Sequence, residues 1–184
     1  VAGLGTVVFA AHQIGMNIMS LSFMLGQAFG ASATTLVGQS LGAQDPPLAE
    51  KCAKQTQLLA AGASMLVSLL FWTMGRQVVG LYTNDPEVTR WGALVLKIIA
   101  FALPFQTTQF VLRGALRGAG DTTWPLYATA VGVWGFRVAL AYLLGIVLGW
   151  GLVGVWLALT LDQMVRALII TWRFRQGKWK YITV

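Results

Sequence analysis

The chain is poor in charge, and it has one cysteine and one histidine. Each scarcity removes a class of protein. Of 184 residues, 13 are Lys or Arg and 6 are Asp or Glu, or 10% of the whole. A soluble domain carries about 25%. So few charges do not cover a water-exposed globule of this size, which excludes a soluble enzyme and a disordered tail. The lone cysteine, Cys52, excludes an internal disulfide and a cysteine-built metal site. The lone histidine, His12, excludes any site that needs two, and it reads as a packed or interfacial residue rather than a ligand. There is no HExxH zinc motif and no Walker loop. The expectation is therefore a protein that is not an enzyme and carries no cofactor or metal.

What the chain has in quantity is apolar sequence: 57% of residues are hydrophobic, and the mean hydropathy is +0.68. Five apolar stretches are each long enough to cross a hydrocarbon core of about 30 Å, which takes about 20 helical residues. They run from about residue 7 to 41, 54 to 81, 88 to 116, 124 to 149 and 152 to 172. The fold class is thus all-α: a polytopic membrane bundle of five transmembrane helices. The first stretch is long for one span, so it is expected to tilt or to kink at Gly26, Gly30 or Gly38. Asn84 or Asp85 can cap the third, with Pro86 in its first turn. Pro104 lies in mid-stretch, where proline frees a carbonyl and bends a helix. The link Gly149-Trp150-Gly151 leaves room only for a tight antiparallel turn. Small residues recur at Gly26, Gly30 and Ala33, at Ala60 to Ala63, and at Gly114, Gly118 and Gly120, which allows close helix packing. Trp72, Trp91, Trp124, Trp150, Trp172 and Trp179 fall near the ends of stretches, as an aromatic belt would.

The formal net charge is +7. Basic proteins often bind nucleic acid, but these cations fall between apolar runs rather than on a polar face with aromatics, so no nucleic-acid partner is expected. With alternating spans, Lys51, Lys54, Arg113, Arg117, Arg173, Arg175, Lys178 and Lys180 share one side. The other side has Arg76 and Arg90 beside Asp85 and Glu87. The positive-inside rule puts the first group, and the carboxy terminus, in the cytoplasm. The chain opens Val1-Ala2-Gly3-Leu4, with no initiator Met and no basic region before the apolar run, and its first span runs inward. It reads as a fragment with upstream spans missing.

Ionisable groups at bilayer depth are costly and are functional hypotheses by default. Arg137 and Asp162 both come near the midplane of adjacent antiparallel helices, and Arg166 lies four residues past Asp162 on the same face. They are expected to form a buried cluster, either a register-fixing ion pair or a group that moves charge during a cycle. Lys97, about 14 Å into its helix, either snorkels outward or lines a wet cavity as a cavity cation. Gln13 and Asn17 share one helix face, and Gln106 and Gln109 share another just past Pro104. These two amide faces are read as the lining of a substrate cavity.

Several ordered motifs carry a resemblance. Ala10-Ala11-His12-Gln13-Ile14 opens the first stretch and Val37-Gly38-Gln39-Ser40-Leu41-Gly42-Ala43-Gln44 closes it. Leu116-Arg117-Gly118-Ala119-Gly120-Asp121-Thr122 closes the third, with Pro125 following, and Gly154-Val155-Trp156 lies early in the fifth. In this order and spacing they resemble the carboxy-terminal lobe of multidrug and toxic compound extrusion (MATE) transporters over nearly the whole chain. The resemblance implies helices eight to twelve of a twelve-helix, two-lobe protein, with helix seven and the amino-terminal lobe absent. It implies export of small organic, often cationic, compounds by proton- or sodium-coupled antiport, with alternating access around a central cavity to which helices eight and ten contribute. Some branches carry an acidic cation-binding residue in helix ten, and the position that corresponds here is Gln106. An amide neither holds a proton nor balances sodium as a carboxylate does, so the coupling acid is expected in the amino-terminal lobe. The implied partners are membrane lipid, organic substrates and that other lobe. The implied setting is the bacterial cytoplasmic membrane, with the full-length protein a monomer. A lipid-intermediate flippase of the same superfamily and a non-transporting membrane scaffold subunit are the alternatives.

Overall fold

The computed structural model describes residues 5–182. Val1 to Leu4, where the expectation of missing upstream spans begins, lie outside the described residues. Five helices are long and apolar enough to cross a membrane: α1 (Thr6–Gly42), α2 (Pro46–Gly80), α3 (Pro86–Gly118), α4 (Thr123–Val147) and α5 (Gly151–Arg175). A 3-10 turn, Lys178–Tyr181, follows.

Helix starts follow the polar breaks. Asp45 caps α2, accepting from the Leu48 N–H at 2.9 Å, with proline in the first turn. Asp85 caps α3, accepting from Glu87 at 2.8 Å and Val88 at 3.2 Å. Each satisfies backbone donors that a helix start otherwise leaves free. Two boundaries differ from expectation. Lys51 and Lys54 lie on the first turns of α2 rather than in a loop, and Arg113 and Arg117 lie on the last turns of α3. Helices outrun the apolar stretch at these two ends, because charged residues continue a helix as readily as apolar ones.

The α3 helix is the centre of the bundle, packed by α1, α2 and α5. Its contact with α1 is backbone on backbone. A Cβ built on Gly114 would lie 2.1 Å from the Gly30 carbonyl oxygen, and one on Gly118 would lie 2.3 Å from that of Thr34. Thr34 Oγ1 donates to the Gly114 carbonyl at 2.9 Å across this seam. The α1 helix is unbroken from Thr6 to Gly42, so Gly26, Gly30 and Gly38 do not act as soft points. They admit Phe110 and Gly118 of α3 instead. The break falls in α2, at Met74 (φ −111°, ψ 17°).

The α4 helix is the outlier. It widens into π turns over Val131–Val138 and Leu143–Val147, and only Pro125, Ala128 and Gly132 along it are buried. The expected tight link to α5 is present: Gly149 and Gly151 have φ of 68° and 52°, which glycine adopts without strain, and the Trp150 N–H donates to the Leu144 carbonyl at 3.1 Å. The tail folds back. Trp179 is fully buried, stacks on Phe174 at 4.9 Å and donates its indole N–H to the Phe174 carbonyl at 2.9 Å. Trp179 therefore belongs to the core, not to an aromatic belt, whereas Trp72, Trp150 and Trp172 are exposed.

Candidate functional site

The five polar side chains that the sequence places at bilayer depth on α1 and α3 divide into three environments. Gln13 and Asn17 are exposed on the α1 face that turns away from α3. Ser20, Met24, Gln27, Ala31 and Thr35 continue the same exposed face at steps of three and four residues, so the face is polar except at Met24 and Ala31. A polar stripe on an apolar helix faces protein or water in preference to hydrocarbon. Its continuation past Asn17 was readable from the spacing, but the sequence does not say which face of an apolar helix is covered.

Gln106 and Gln109 are buried, 1% and 3% exposed. Among the described residues they are not brought together with Gln13 and Asn17, which are exposed. The reason is that α3 is enclosed by three helices, so its amides point into the bundle. Gln106 shares a small cavity with Met19, Trp156, Thr160 and Gln163. Both amide atoms of Gln106 and of Gln163 lack a hydrogen-bond partner among the described residues. Gln163, buried on α5, was missed; its only signal is an amide one residue after Asp162. Neighbouring Thr108 does find a partner, accepting from Gln57 Nε2 at 2.7 Å.

The structure brings Arg137, Asp162 and Arg166 together. Arg137 of α4 donates to Asp162 Oδ2 through Nε at 3.0 Å and approaches it through a second guanidinium nitrogen at 2.7 Å. Arg166, one turn along α5, donates to the same oxygen. Asp162 is fully buried, and its Oδ1 has no partner among the described residues. Gly132 lies against that oxygen: a Cβ there would sit 2.4 Å from Oδ1 and 2.6 Å from Arg166 Cγ. Two guanidinium groups on one carboxylate leave an excess positive charge in the bundle, and Arg113, half-buried on α3, adds another with its Nε unpaired among the described residues.

His12 packs edge-on to Trp156 at 5.6 Å, as a packed histidine does. Lys97 faces outward, with its Nζ 5.8 Å from the Trp72 ring centroid. A buried acid that sequence reading passed over is Asp121, which accepts from Arg173 Nε at 2.7 Å and ties the α3–α4 link to the end of α5. Gly38-Gln39-Ser40-Leu41-Gly42 has the letters of a serine nucleophile elbow. It lies within the last turns of α1, where Ser40 Oγ donates to the Leu36 carbonyl at 2.7 Å, and not on the strand-to-helix turn that chemistry needs.

Comparison with known proteins agrees with this architecture. The multidrug resistance protein NorM of Burkholderia vietnamiensis is 34% identical over 176 residues, which cover 93% of this chain and 38% of NorM. The uncharacterized transporter YisQ of Bacillus subtilis is 28% identical over 180 residues, 97% of this chain and 39% of YisQ. The chain thus spans about two fifths of the length of these relatives. Among solved structures, an outward-facing multidrug resistance MATE family transporter of the MOP superfamily superposes with a TM-score of 0.91 at 20% identity, covering 100% of this chain and 41% of that one. The eukaryotic MATE transporter AtDTX14 superposes with a TM-score of 0.87 at 22% identity, over 95% of this chain and 39% of that one. The MatE family model matches residues 1 to 143. With that match over well more than half its length, this five-helix chain belongs to the MatE family of membrane transporters.

Proposed function

We propose that the chain forms most of one lobe, the carboxy-terminal one, of a secondary transporter that exports small organic, often cationic, compounds by proton- or sodium-coupled antiport with alternating access. The observation that carries this reading is the exposed, largely polar stripe of α1, with Gln13 and Asn17 toward its amino-terminal end. A helix otherwise suited to lipid presents amides and hydroxyls along one exposed face, interrupted by Met24 and Ala31. The amino-terminal lobe is the natural partner for that face, with a wet substrate passage between the two. Coupling rests on an acid outside this chain. Asp162 is held by two arginines, and Gln106 cannot carry a proton. The setting is the bacterial cytoplasmic membrane with the carboxy terminus inside, and the working unit is the full-length monomer.

The test is reconstitution of the full-length transporter that contains these helices, with dye efflux measured against an imposed proton or sodium gradient. Gradient-dependent efflux is expected. Gln13→Ala and Asn17→Ala should change the ranking of substrates while leaving the melting temperature near that of the parent. No efflux under either gradient, or efflux blind to both substitutions, overturns the reading.

A further inference from the structure

A groove of about 550 Å³ opens between the loop-side ends of α2 and α3, away from the polar stripe of α1. Its rim holds Arg76 and Arg90, its deeper wall Lys97, and its flanks Trp72 and Trp91. Arg76 precedes the end of α2 by four residues and Arg90 follows the start of α3 by four. At about 1.5 Å per residue, both guanidinium groups hang from positions about 6 Å from the helix ends, while Lys97 is about 16 Å down α3. The break at Met74 and the small residues Gly75 and Ala93 leave the hollow open.

The charges do not balance. Glu87 is the only acid on the lining, and none of the five ion pairs among the described residues involves Arg76, Arg90, Lys97 or Glu87. The surroundings below are apolar and exposed. Leu94 and Phe101 flank Lys97 on the same face of α3, and Leu69 lies one turn below Thr73 on α2. Cations at the rim above exposed Leu, Phe and Trp match the two parts of a phospholipid, a charged headgroup and apolar chains. On a lipid-facing surface an ammonium needs a counter-charge at the level where phosphates lie.

We propose that this groove seats the headgroup of an anionic phospholipid, with its phosphate between Arg76 and Arg90, Lys97 reaching up to it past Trp72, and its acyl chains running down over Leu94, Phe101 and Leu69. Trp72 and Trp91 sit where indoles favour the headgroup boundary. Lys97 then neither faces bare hydrocarbon nor serves the substrate passage, and the exposed side chains below it match acyl chains in kind and depth.

The experiment uses the full-length transporter in mild detergent. Retained lipid is read by native mass spectrometry after addition of phosphatidylglycerol or phosphatidylcholine. Phosphatidylglycerol is expected to be retained in preference, and each of Arg76→Gln, Arg90→Gln and Lys97→Gln should lower its retention by about fivefold, the effect of one cation near a lipid surface. Lys97→Arg should restore it, which separates loss of charge from loss of fold. Equal retention of the two lipids, or retention indifferent to all three substitutions, overturns the proposal. Displacement of phosphatidylglycerol by millimolar inorganic phosphate or glycerol phosphate also overturns it, in favour of a soluble anion. This outcome is independent of dye efflux.

Discussion

Gly132 of α4 lies against the free oxygen of Asp162, so closely that a methyl group added at Gly132 would sit 2.4 Å from Oδ1. The glycine is what lets α4, otherwise almost uncovered, come close enough for Arg137 to reach the carboxylate. Gly132→Ala is therefore expected to push α4 outward and weaken the Arg137 contact. Overpacking of this kind costs about 1–3 kcal/mol, read as a lower melting temperature of the full-length protein. Gly135→Ala is the control: outside its own helix backbone, a Cβ there meets among the described residues only the far end of Val131, at 4.0 Å. Equal effects at the two positions would show that Gly132 does not govern the approach.

Asp162→Asn tests the cluster itself. Removing the carboxylate leaves two guanidinium groups facing each other in a buried setting, and breaking such a pair costs about 3–5 kcal/mol. Arg137→Gln on top of Asp162→Asn should recover part of the loss. Recovery should be incomplete, because Arg166 remains beside the amide. A double-mutant cycle on thermal stability measures this. If Asp162→Asn is silent in stability and in transport, the cluster has neither a structural nor a transport role.

How legible these features were in the sequence depended on whether a polar atom or the lipid enforced them. The five spans were legible because hydrocarbon demands about 20 apolar residues in each. The Arg137–Asp162–Arg166 contact was legible because a helical step of four and a short turn leave few other places for those charges. A cap at Asn84 or Asp85 was legible from turn chemistry, and the structure selects Asp85; the cap at Asp45 was not read from the sequence. The fate of Gln106 and Gln109 was not. In a soluble helix, apolar residues mark the buried face; in α3 they lie nearly all round, so nothing in the pattern says which side meets protein. The position of α3 between three helices decided it. Trp179 escaped for a related reason: a tryptophan near a span end suits the lipid boundary and a local core equally, and the backward fold of the tail at Gly177 (φ 70°) selected the core.

The seam between α1 and α3 makes a prediction about glycine that contrasts two positions of one type. Gly114→Ala forces a methyl group onto the Gly30 carbonyl, where only backbone could move. Loss of stability of at least about 2 kcal/mol is expected, within the range for overpacked cores, and Gly118→Ala should behave alike against Thr34. Gly62→Ala on α2 meets nothing within 4 Å. There alanine gains up to about 1 kcal/mol of helix propensity, so stability should hold or rise. Thermal unfolding of the three variants checks the order. If Gly114→Ala is as stable as Gly62→Ala, the two backbones do not meet as described.

The tail is held by charge at one point, and this gives a pH dependence with a definite sign. Glu50 lies in the first turns of α2, ahead of the apolar stretch, and accepts from Lys180 and, at 2.6 Å, from Lys54. The hydrogen bond from Lys180 chiefly, then that from Lys54, lowers its pKa from 4.5 to about 2, against a smaller opposing effect of burial. The folded value lies below the unfolded one, so the contact stabilises fully above about pH 4.5 and fades as pH falls toward 2. The carboxylate is partly solvated, at 31% side-chain exposure, which keeps the contribution to the 0.2–1 kcal/mol (about) of exposed pairs. Hydrogen exchange over residues 176–182, expressed as protection factors to remove the intrinsic pH effect, should show protection falling by no more than about fivefold between pH 6 and pH 3, which is the factor that 1 kcal/mol allows. Glu50→Gln should start from the lower protection and show no such fall. The Trp179–Phe174 stack is apolar and keeps its share of the docking at both pH values. Protection that is flat in the parent, or that falls equally in Glu50→Gln, would assign the docking of the tail to that stack alone.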